Sequence, residues 1–288
     1  MPRISFLRLI ALLCGCLVQC ACATVDVRLA DFMSPDRSPR SAVLPQGYAV
    51  QDLIIHRGDR LIGITHAHHP QSHSVIVLCG GDVFHRSLEG GAALEALALG
   101  ADVVLFDYPG YGETTGAPTP GAILDTALAV YDYTSALATS AGKMRVLYGF
   151  SLGGLVAAQV ARARPADGVV LEATAVNVEG WARSQIPWFA RPLIVPRVEP
   201  GLAGIDSVRA LARFSGSVLV LASPADRQAP ASLSADIERG LRAAGVRVQL
   251  VQFPRARHGD INRSAQFAPV LRGFLDSLQE RSWPSTRD

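Results

Sequence analysis

The strongest constraint in this chain is a serine placed where an apolar strand must turn abruptly into a helix. Val146-Leu147-Tyr148 leads into Gly149-Phe150-Ser151-Leu152-Gly153, and Leu155-Val156-Ala157-Ala158-Gln159-Val160-Ala161 reads as helix. A G-x-S-x-G pattern between a strand and a helix predicts a tight turn, with Ser151 in a strained backbone conformation and its hydroxyl lifted clear of a sheet. The following helix aims its N-terminus at the same spot. The N–H of Leu152 is therefore a candidate donor to a developing oxyanion.

The rest of the chain supplies a sheet for that turn. Asp52-Leu53-Ile54-Ile55 and Leu61-Ile62-Gly63-Ile64-Thr65, joined through Gly58-Asp59, read as an antiparallel hairpin. The next strands begin at Val75, Val103, Val146, Val169, Val218 and Val246, and they are mostly continuous apolar runs rather than alternating ones. Such runs suit strands covered on both faces, hence a mostly parallel eight-stranded sheet flanked by helices, an α/β architecture. Helical stretches are expected near 90–100, 120–140, 151–164, 207–214, 233–244 and 264–280. Residues 176–204, after the sixth strand, break the alternation with Trp181, Trp188 and Phe189 among four prolines. This segment is expected to be a small lid presenting aromatic surface to a substrate; the alternative is an irregular crossover whose aromatics pack into the core.

A serine becomes a useful nucleophile only with a base to take its proton and a third group to orient that base. After Ser151 the chain holds a single histidine, His258, in the segment between the last strand and the last helix. Asp226 follows the seventh strand and is the expected acid, with Glu172, at the end of the sixth, as the alternative. The second oxyanion donor is expected from the glycine pair after the third strand, through the N–H of Gly81 or Asp82.

A different chemistry is suggested by Thr65-His66-Ala67-His68-His69-Pro70-Gln71-Ser72-His73. Its Thr-His-x-His opening resembles that of metallo-β-lactamase-like zinc hydrolases, although Pro70-Gln71 stands where those enzymes continue with an Asp-His pair. The rival reading is thus a zinc-dependent hydrolase using the cluster from His66 to His73.

With 49% hydrophobic and 18% charged residues in 288, the chain is too apolar for disorder, and it is long enough for one large core of about 250 residues. A net charge of +2 gives no reason to expect a nucleic-acid partner. Residues 1–23 carry Arg3 and Arg8 ahead of a short apolar run over 9–18, the layout of a bacterial export signal. Cleavage after Ala23 would release a soluble protein; lipidation of Cys16 or Cys20 would instead tether it to a membrane. Four of the five cysteines lie in this leader, so the body, which retains only Cys79, has no disulfide framework. Residues 24–48, rich in Pro, Ser and Arg, read as an extended lead-in, with the main domain over 49–281 and a tail over 282–288.

The segment Phe106-Asp107-Tyr108-Pro109-Gly110-Tyr111-Gly112-Glu113-Thr114-Thr115-Gly116, with Tyr148-Gly149-Phe150-Ser151-Leu152-Gly153-Gly154, resembles the α/β-hydrolases. Within them it is similar to the serine aminopeptidase S33-like hydrolases and the related BEM46- and ABHD-type acyl hydrolases. The resemblance covers about 52–278. It implies Ser151 as nucleophile, Asp226 as acid, His258 as base, and cleavage of an ester, thioester or amide through an acyl-enzyme. No metal or organic cofactor is implied. The pattern departs from the family at Cys79-Gly80-Gly81, where His-Gly-Asn or a similar triplet is common, and at Ser223, where the acid loop often has glycine. Because a fold can outlive its chemistry, a non-catalytic envelope binding protein is the remaining alternative.

Overall fold

A strand covered on both faces sends alternate side chains into two separate cores, and the central strands of this protein do so. The structure is a computed structural model that describes residues 23–35, 46–84, 86, 93, 95 and 97–282. Its strands are β1 (Ala23–Val27), β2 (Ala49–Arg57), β3 (Arg60–His68), β4 (Ser74–Cys79), β5 (Asp102–Phe106), β6 (Met144–Phe150), β7 (Gly168–Glu172), β8 (Ile194–Val198), β9 (Ser217–Ala222) and β10 (Arg247–Gln252). Its helices are α1 (Pro120–Ser140), α2 (Leu152–Ala163), α3 (Val178–Gln185), α4 (Pro200–Ala203), α5 (Ser207–Leu211), α6 (Ala231–Ala243) and α7 (Phe267–Ser282). On β4, Val75, Val77 and Cys79 join the core under α1, α2 and α6. Ile76 and Leu78 turn the other way, into the core closed by Phe267, Leu271 and Phe274 of α7. β9 repeats the pattern, with Val218 and Val220 on one side and Leu219 and Leu221 on the other.

Eight strands form the main sheet in the order β10-β9-β7-β6-β4-β5-β3-β2. The β2–β3 hairpin and its edge with β5 are antiparallel; every other pairing is parallel. The order reverses around β4, whose neighbours are β5 and β6. A crevice at the carboxyl ends of such strands is the place for a site, and Ser151 lies there at the end of β6. Of the helix expected near 90–100, residues 93, 95 and 97 are helical and 98–100 are not; residues 90–92, 94 and 96, like leader residues 1–22 and tail residues 283–288, lie outside the described residues.

The lead-in is packed onto the fold over residues 24–35, while its residues 36–45 lie outside the described residues. β1 pairs in parallel with β8, from Ala23 opposite Ile194 to Val27 opposite Val198. A short 3-10 turn (Leu29–Asp31) follows, with Leu29 and Met33 buried in the main core. The Glu199 carboxylate accepts from the Leu29 N–H at 2.9 Å. Residues 23–35 are thus an arm bonded to the segment after the sixth strand of the main sheet. Burial of Val27, Leu29 and Met33 supplies the driving force that composition alone concealed.

Two glycine substitutions test this packing. A Cβ on Gly153 would sit 2.0 Å from the Cys79 carbonyl oxygen and 2.4 Å from that of Gly80, both backbone atoms, whereas one on Gly273 in α7 meets nothing within 4 Å. Gly153→Ala is expected to destabilise the fold by about 3 kcal/mol and Gly273→Ala to stabilise it by about 0.5–1 kcal/mol. Urea unfolding midpoints of the two variants and wild type check both signs.

Candidate active site

Ser151 occupies a backbone conformation, φ 53° and ψ −120°, that side chains other than glycine rarely adopt. It is held from both sides. The Ser151 N–H donates to the Glu172 carbonyl at 2.9 Å, and its own carbonyl accepts from the Gly154 N–H at 3.0 Å. Leu152 is the first residue of α2, so its N–H has no intrahelical acceptor and faces the space above the serine.

Two further loops converge on the hydroxyl. His258, after β10, places Nε2 3.2 Å from Ser151 Oγ. Its Nδ1 lies 2.7 Å from Asp226 Oδ2. The other oxygen of Asp226 accepts from the N–H groups of Gln228 and Ala229 at 2.8 and 2.9 Å, which fixes the carboxylate plane. The Phe150 ring packs against the imidazole at 5.0 Å between centroids. Ser223, where a glycine was expected, donates its hydroxyl to the Ala256 carbonyl, so the acid loop is tied to the histidine loop two residues before His258.

Glu172 is not the histidine's partner. Its buried carboxylate accepts from the Tyr148 hydroxyl instead, and burial pushes the acid up to about 7, against smaller opposing effects of Tyr148 and His258. It remains a neighbour of the triad residues without a bond to His258.

The glycine-pair loop presses directly on the nucleophile. A Cβ on Gly81 would lie 3.1 Å from Phe150 Cδ1 and 3.6 Å from Ser151 Cβ. Tyr108 and Tyr111 hold this loop, donating to the carbonyls of Gly80 at 2.9 Å and Asp82 at 2.7 Å. Because a peptide unit is planar, anchoring the Gly80 carbonyl also sets the direction of the Gly81 N–H. The Tyr111 oxygen accepts in turn from the Ser34 N–H at 2.7 Å, linking the arm to the loop. The buried Cys79 thiol beneath is pushed up to about 12 by desolvation, which leaves it a packed, unreactive group at neutral pH.

Ser151, His258 and Asp82 open onto a cavity of about 130 Å³. Its walls are Leu152 and Leu155 of α2, Val178 and Trp181 of α3, Leu202 of α4 and Phe32 of the arm. Phe32 meets the Trp181 indole edge-on at 5.0 Å, and the indole N–H donates to the Gln228 carbonyl at 2.9 Å. Of the three aromatics expected to face a substrate, only Trp181 lines the cavity. Trp188 and Phe189 are 79% and 66% exposed and turn to solvent. Phe32 took no part in the sequence reading; an apolar residue within a polar lead-in carries no signal of its destination.

The histidine cluster lies elsewhere. His66 and His68 belong to β3 rather than to a loop, and with Asp102 they hold ligand atoms within 4.8 Å of one another. Asp102 begins β5 and pairs with Val75 at the start of β4, so the cluster is roughly 20 Å, about one strand length, from Ser151. The Lys143 ammonium already sits on the Asp102 carboxylate at 2.6 Å. A metal there would not reach the serine cavity.

The chain is similar to several known proteins. A family model described as serine aminopeptidase, S33, matches residues 70–199. An uncharacterized protein of Mycobacterium tuberculosis (strain ATCC 25618 / H37Rv) is 30% identical over 237 residues, covering 81% of this chain and 80% of that protein. The lysophosphatidylserine lipase ABHD12 of Xenopus tropicalis is 28% identical over 208 residues, 64% of this chain and 52% of the lipase. The chain therefore spans about half the length of that relative. Among solved structures, the Pyrococcus furiosus esterase Pf2001 superposes with a TM-score of 0.65 at 15% identity, over 86% of this chain and 98% of the esterase.

The raised Glu172 acid makes stability depend on pH. Between its ordinary value of 4.5 and about 7, the unfolded chain releases this proton while the folded chain keeps it. The contribution is complete below 4.5, declines as pH rises, and is lost above about 7. Wild type is expected to lose about 3 kcal/mol more than Glu172→Gln between about pH 4 and about pH 8, measured by urea unfolding of both proteins across that range.

Proposed function

The chain belongs to the α/β-hydrolase superfamily, and on that footing we propose that it is a serine hydrolase cleaving carboxylic esters through an acyl-enzyme. The observation that carries the reading is the continuous contact from Ser151 Oγ to His258 Nε2 at 3.2 Å and from His258 Nδ1 to Asp226 at 2.7 Å. As Ser151 attacks the carbonyl carbon, His258 takes its proton at Nε2, while Asp226 holds the Nδ1–H tautomer and stabilises the imidazolium. The N–H of Leu152, with that of Asp82 or Gly81, receives the negative charge on the carbonyl oxygen. His258 then returns the proton to the leaving alcohol. A water molecule, deprotonated by the same imidazole, attacks the acyl-serine and frees the acid and the enzyme.

The apolar walls set by Phe32, Leu155, Val178, Trp181 and Leu202 favour an uncharged acyl chain, since a buried charge would find no partner among them. A single-chain lipid ester is the class that fits best, in keeping with the lysophosphatidylserine lipase named among the relatives. The leader pattern of residues 1–23 supports placing the protein in a bacterial cell envelope. It is held there by a lipidated cysteine or released after Ala23.

A fluorophosphonate probe is expected to label wild type at Ser151 and to leave Ser151→Ala unlabelled. A wild-type protein that stays unlabelled beside a reactive control esterase would remove the catalytic reading. Asp226→Asn is expected to lower kcat by about 10⁴-fold, whereas Glu172→Gln stays within about tenfold; the reverse order would exchange their roles. Phe32→Ala opens one wall and is expected to shift selectivity toward longer acyl chains. Two further methylenes at about 0.8 kcal/mol each correspond to about tenfold in the octanoate-to-butyrate ratio of kcat/KM, read with a graded series of p-nitrophenyl esters.

A further inference from the structure

Five of the nine large hydrophobic residues that stand exposed among the described residues, Val25, Trp188, Phe189, Leu193 and Val195, belong to β1, β8 and the turn at 187–193 that precedes β8. This turn is built rather than loose. Ala190 N–H donates to the Pro187 carbonyl at 2.9 Å, Leu193 N–H to the Ala190 carbonyl at 2.9 Å, and Arg191 Nε to the Ile186 carbonyl at 3.0 Å. The Trp188 and Phe189 rings rest edge to face at 6.0 Å and are held outward as a pair. Water at both rings is unfavourable, and exposed aromatic pairs of this kind mark interaction surfaces.

The chain itself indicates what covers them. Ala23 N–H donates to the Leu193 carbonyl at 2.8 Å, so the chain enters the fold beside the exposed turn. Only Ala21 and Cys22 separate Ala23 from Cys20, one of the leader cysteines of the lipidation pattern. Fully extended, that link reaches at most about 11 Å. A lipid on Cys20 would hold the turn at the bilayer surface. From Gly180 to Val198 the only charged residues are Arg183, Arg191 and Arg197; Arg197 pairs with Asp26 of β1 at 2.7 Å, and Arg183 and Arg191 suit anionic headgroups. Tryptophan is favoured at that depth, with its ring in the boundary region and its N–H toward water.

We propose that the turn at 187–193 is a membrane-docking surface that seats Trp188 and Phe189 at headgroup level in a bilayer containing anionic lipid. The turn begins just after α3, whose Trp181 and Gln185 line the serine cavity. If the hydrolase reading holds, docking brings the cavity wall to the lipid from which an ester would be drawn. The docking itself does not depend on that reading.

The full chain bound to phosphatidylcholine–phosphatidylglycerol vesicles tests the proposal. Subtracting the fluorescence of Trp188→Phe from that of wild type isolates the Trp188 signal. On vesicles this signal is expected to shift to shorter wavelength, and brominated acyl chains are expected to roughly halve it. A Trp188 signal that neither shifts nor is quenched, on protein that sediments with the vesicles, would overturn the proposal. So would one already blue-shifted without lipid that reverts on dilution, because the turn would then be a contact between two copies of the chain. Replacing Trp188 and Phe189 together by serine is expected to raise KM for a vesicle-borne ester about tenfold while leaving kcat/KM for soluble p-nitrophenyl butyrate and labelling of Ser151 unchanged. Quenching of Trp188 without labelling of Ser151 would keep the docking and remove the hydrolase reading.

Discussion

The approach of α2 to the sheet determines the geometry of everything around Ser151. Gly149 lies so near the first turn of α2 that a Cβ would come within 2.5 Å of the Gly153 carbonyl oxygen and Gly154 Cα, and a Cβ on Gly154 would come within 2.6 Å of the Thr174 side chain. With no side chains in the way, the helix can start one residue after the strand's last turn. Ser151 takes up the change of direction at φ 53°. That conformation costs about 1–3 kcal/mol and persists because the bonds to the Glu172 carbonyl and Gly154 N–H leave no other path for the chain. The strain lifts Oγ toward His258 and leaves the start of α2 open to an anion.

The partner loops are fastened to one another as well as to the serine. The Ser223 hydroxyl reaches the Ala256 carbonyl, so the segments carrying Asp226 and His258 move together. On the other side of the cavity, Tyr111 joins Ser34 of the arm to Asp82 of the oxyanion loop. Arg86 bonds Asp107 through both its backbone N–H and Nε, at 2.8 and 3.0 Å, securing that loop's exit to the end of β5. The tyrosines of the Asp107-Tyr108-Pro109-Gly110-Tyr111 stretch thus serve as struts for backbone carbonyls, a role their hydroxyls can fill because burial deprives them of water.

How much of this was legible follows from the range of each interaction. The sheet could be read because its strands are locally apolar, and Ser151 because glycines on both sides of a serine serve a local need. His258 could be read because no other histidine follows the serine. Asp226 is the preferred acid from sequence, but its separation from Glu172 rests on tertiary contact. Both lie near the carboxyl end of a buried strand, Glu172 on β7 and Asp226 past β9, and the Tyr148 hydroxyl that occupies Glu172 belongs to a different strand. β1 pairs with a strand some 170 positions away, Ala23 with Ile194, and nothing near residue 23 encodes that partner. The aromatic content of 176–204 was visible, but direction was not. Trp181 points inward on α3, while Trp188, past Pro187, points out. The histidines at 66 and 68 show a different limit: strand register places this chemically suggestive pattern, with Asp102, at the end of the sheet away from Ser151.

The cavity wall is assembled from segments with different obligations. Leu152 and Leu155 sit on the helix that shapes the elbow, so changing them disturbs the nucleophile. Phe32, Trp181 and Leu202 sit on the arm and on the segment between β7 and β9, which touch the catalytic loops only through a few bonds such as Ser34 to Tyr111 and Trp181 to Gln228. Substitutions there can reshape the pocket while Ser151, His258 and Asp226 keep their distances. The arm and that segment also complete each other, because among the described residues β1 and β8 pair only with one another. Loss of residues 23–27 would therefore expose the edge of β8 and loosen the wall at Phe32 together, coupling the integrity of β1 to the shape of the cavity.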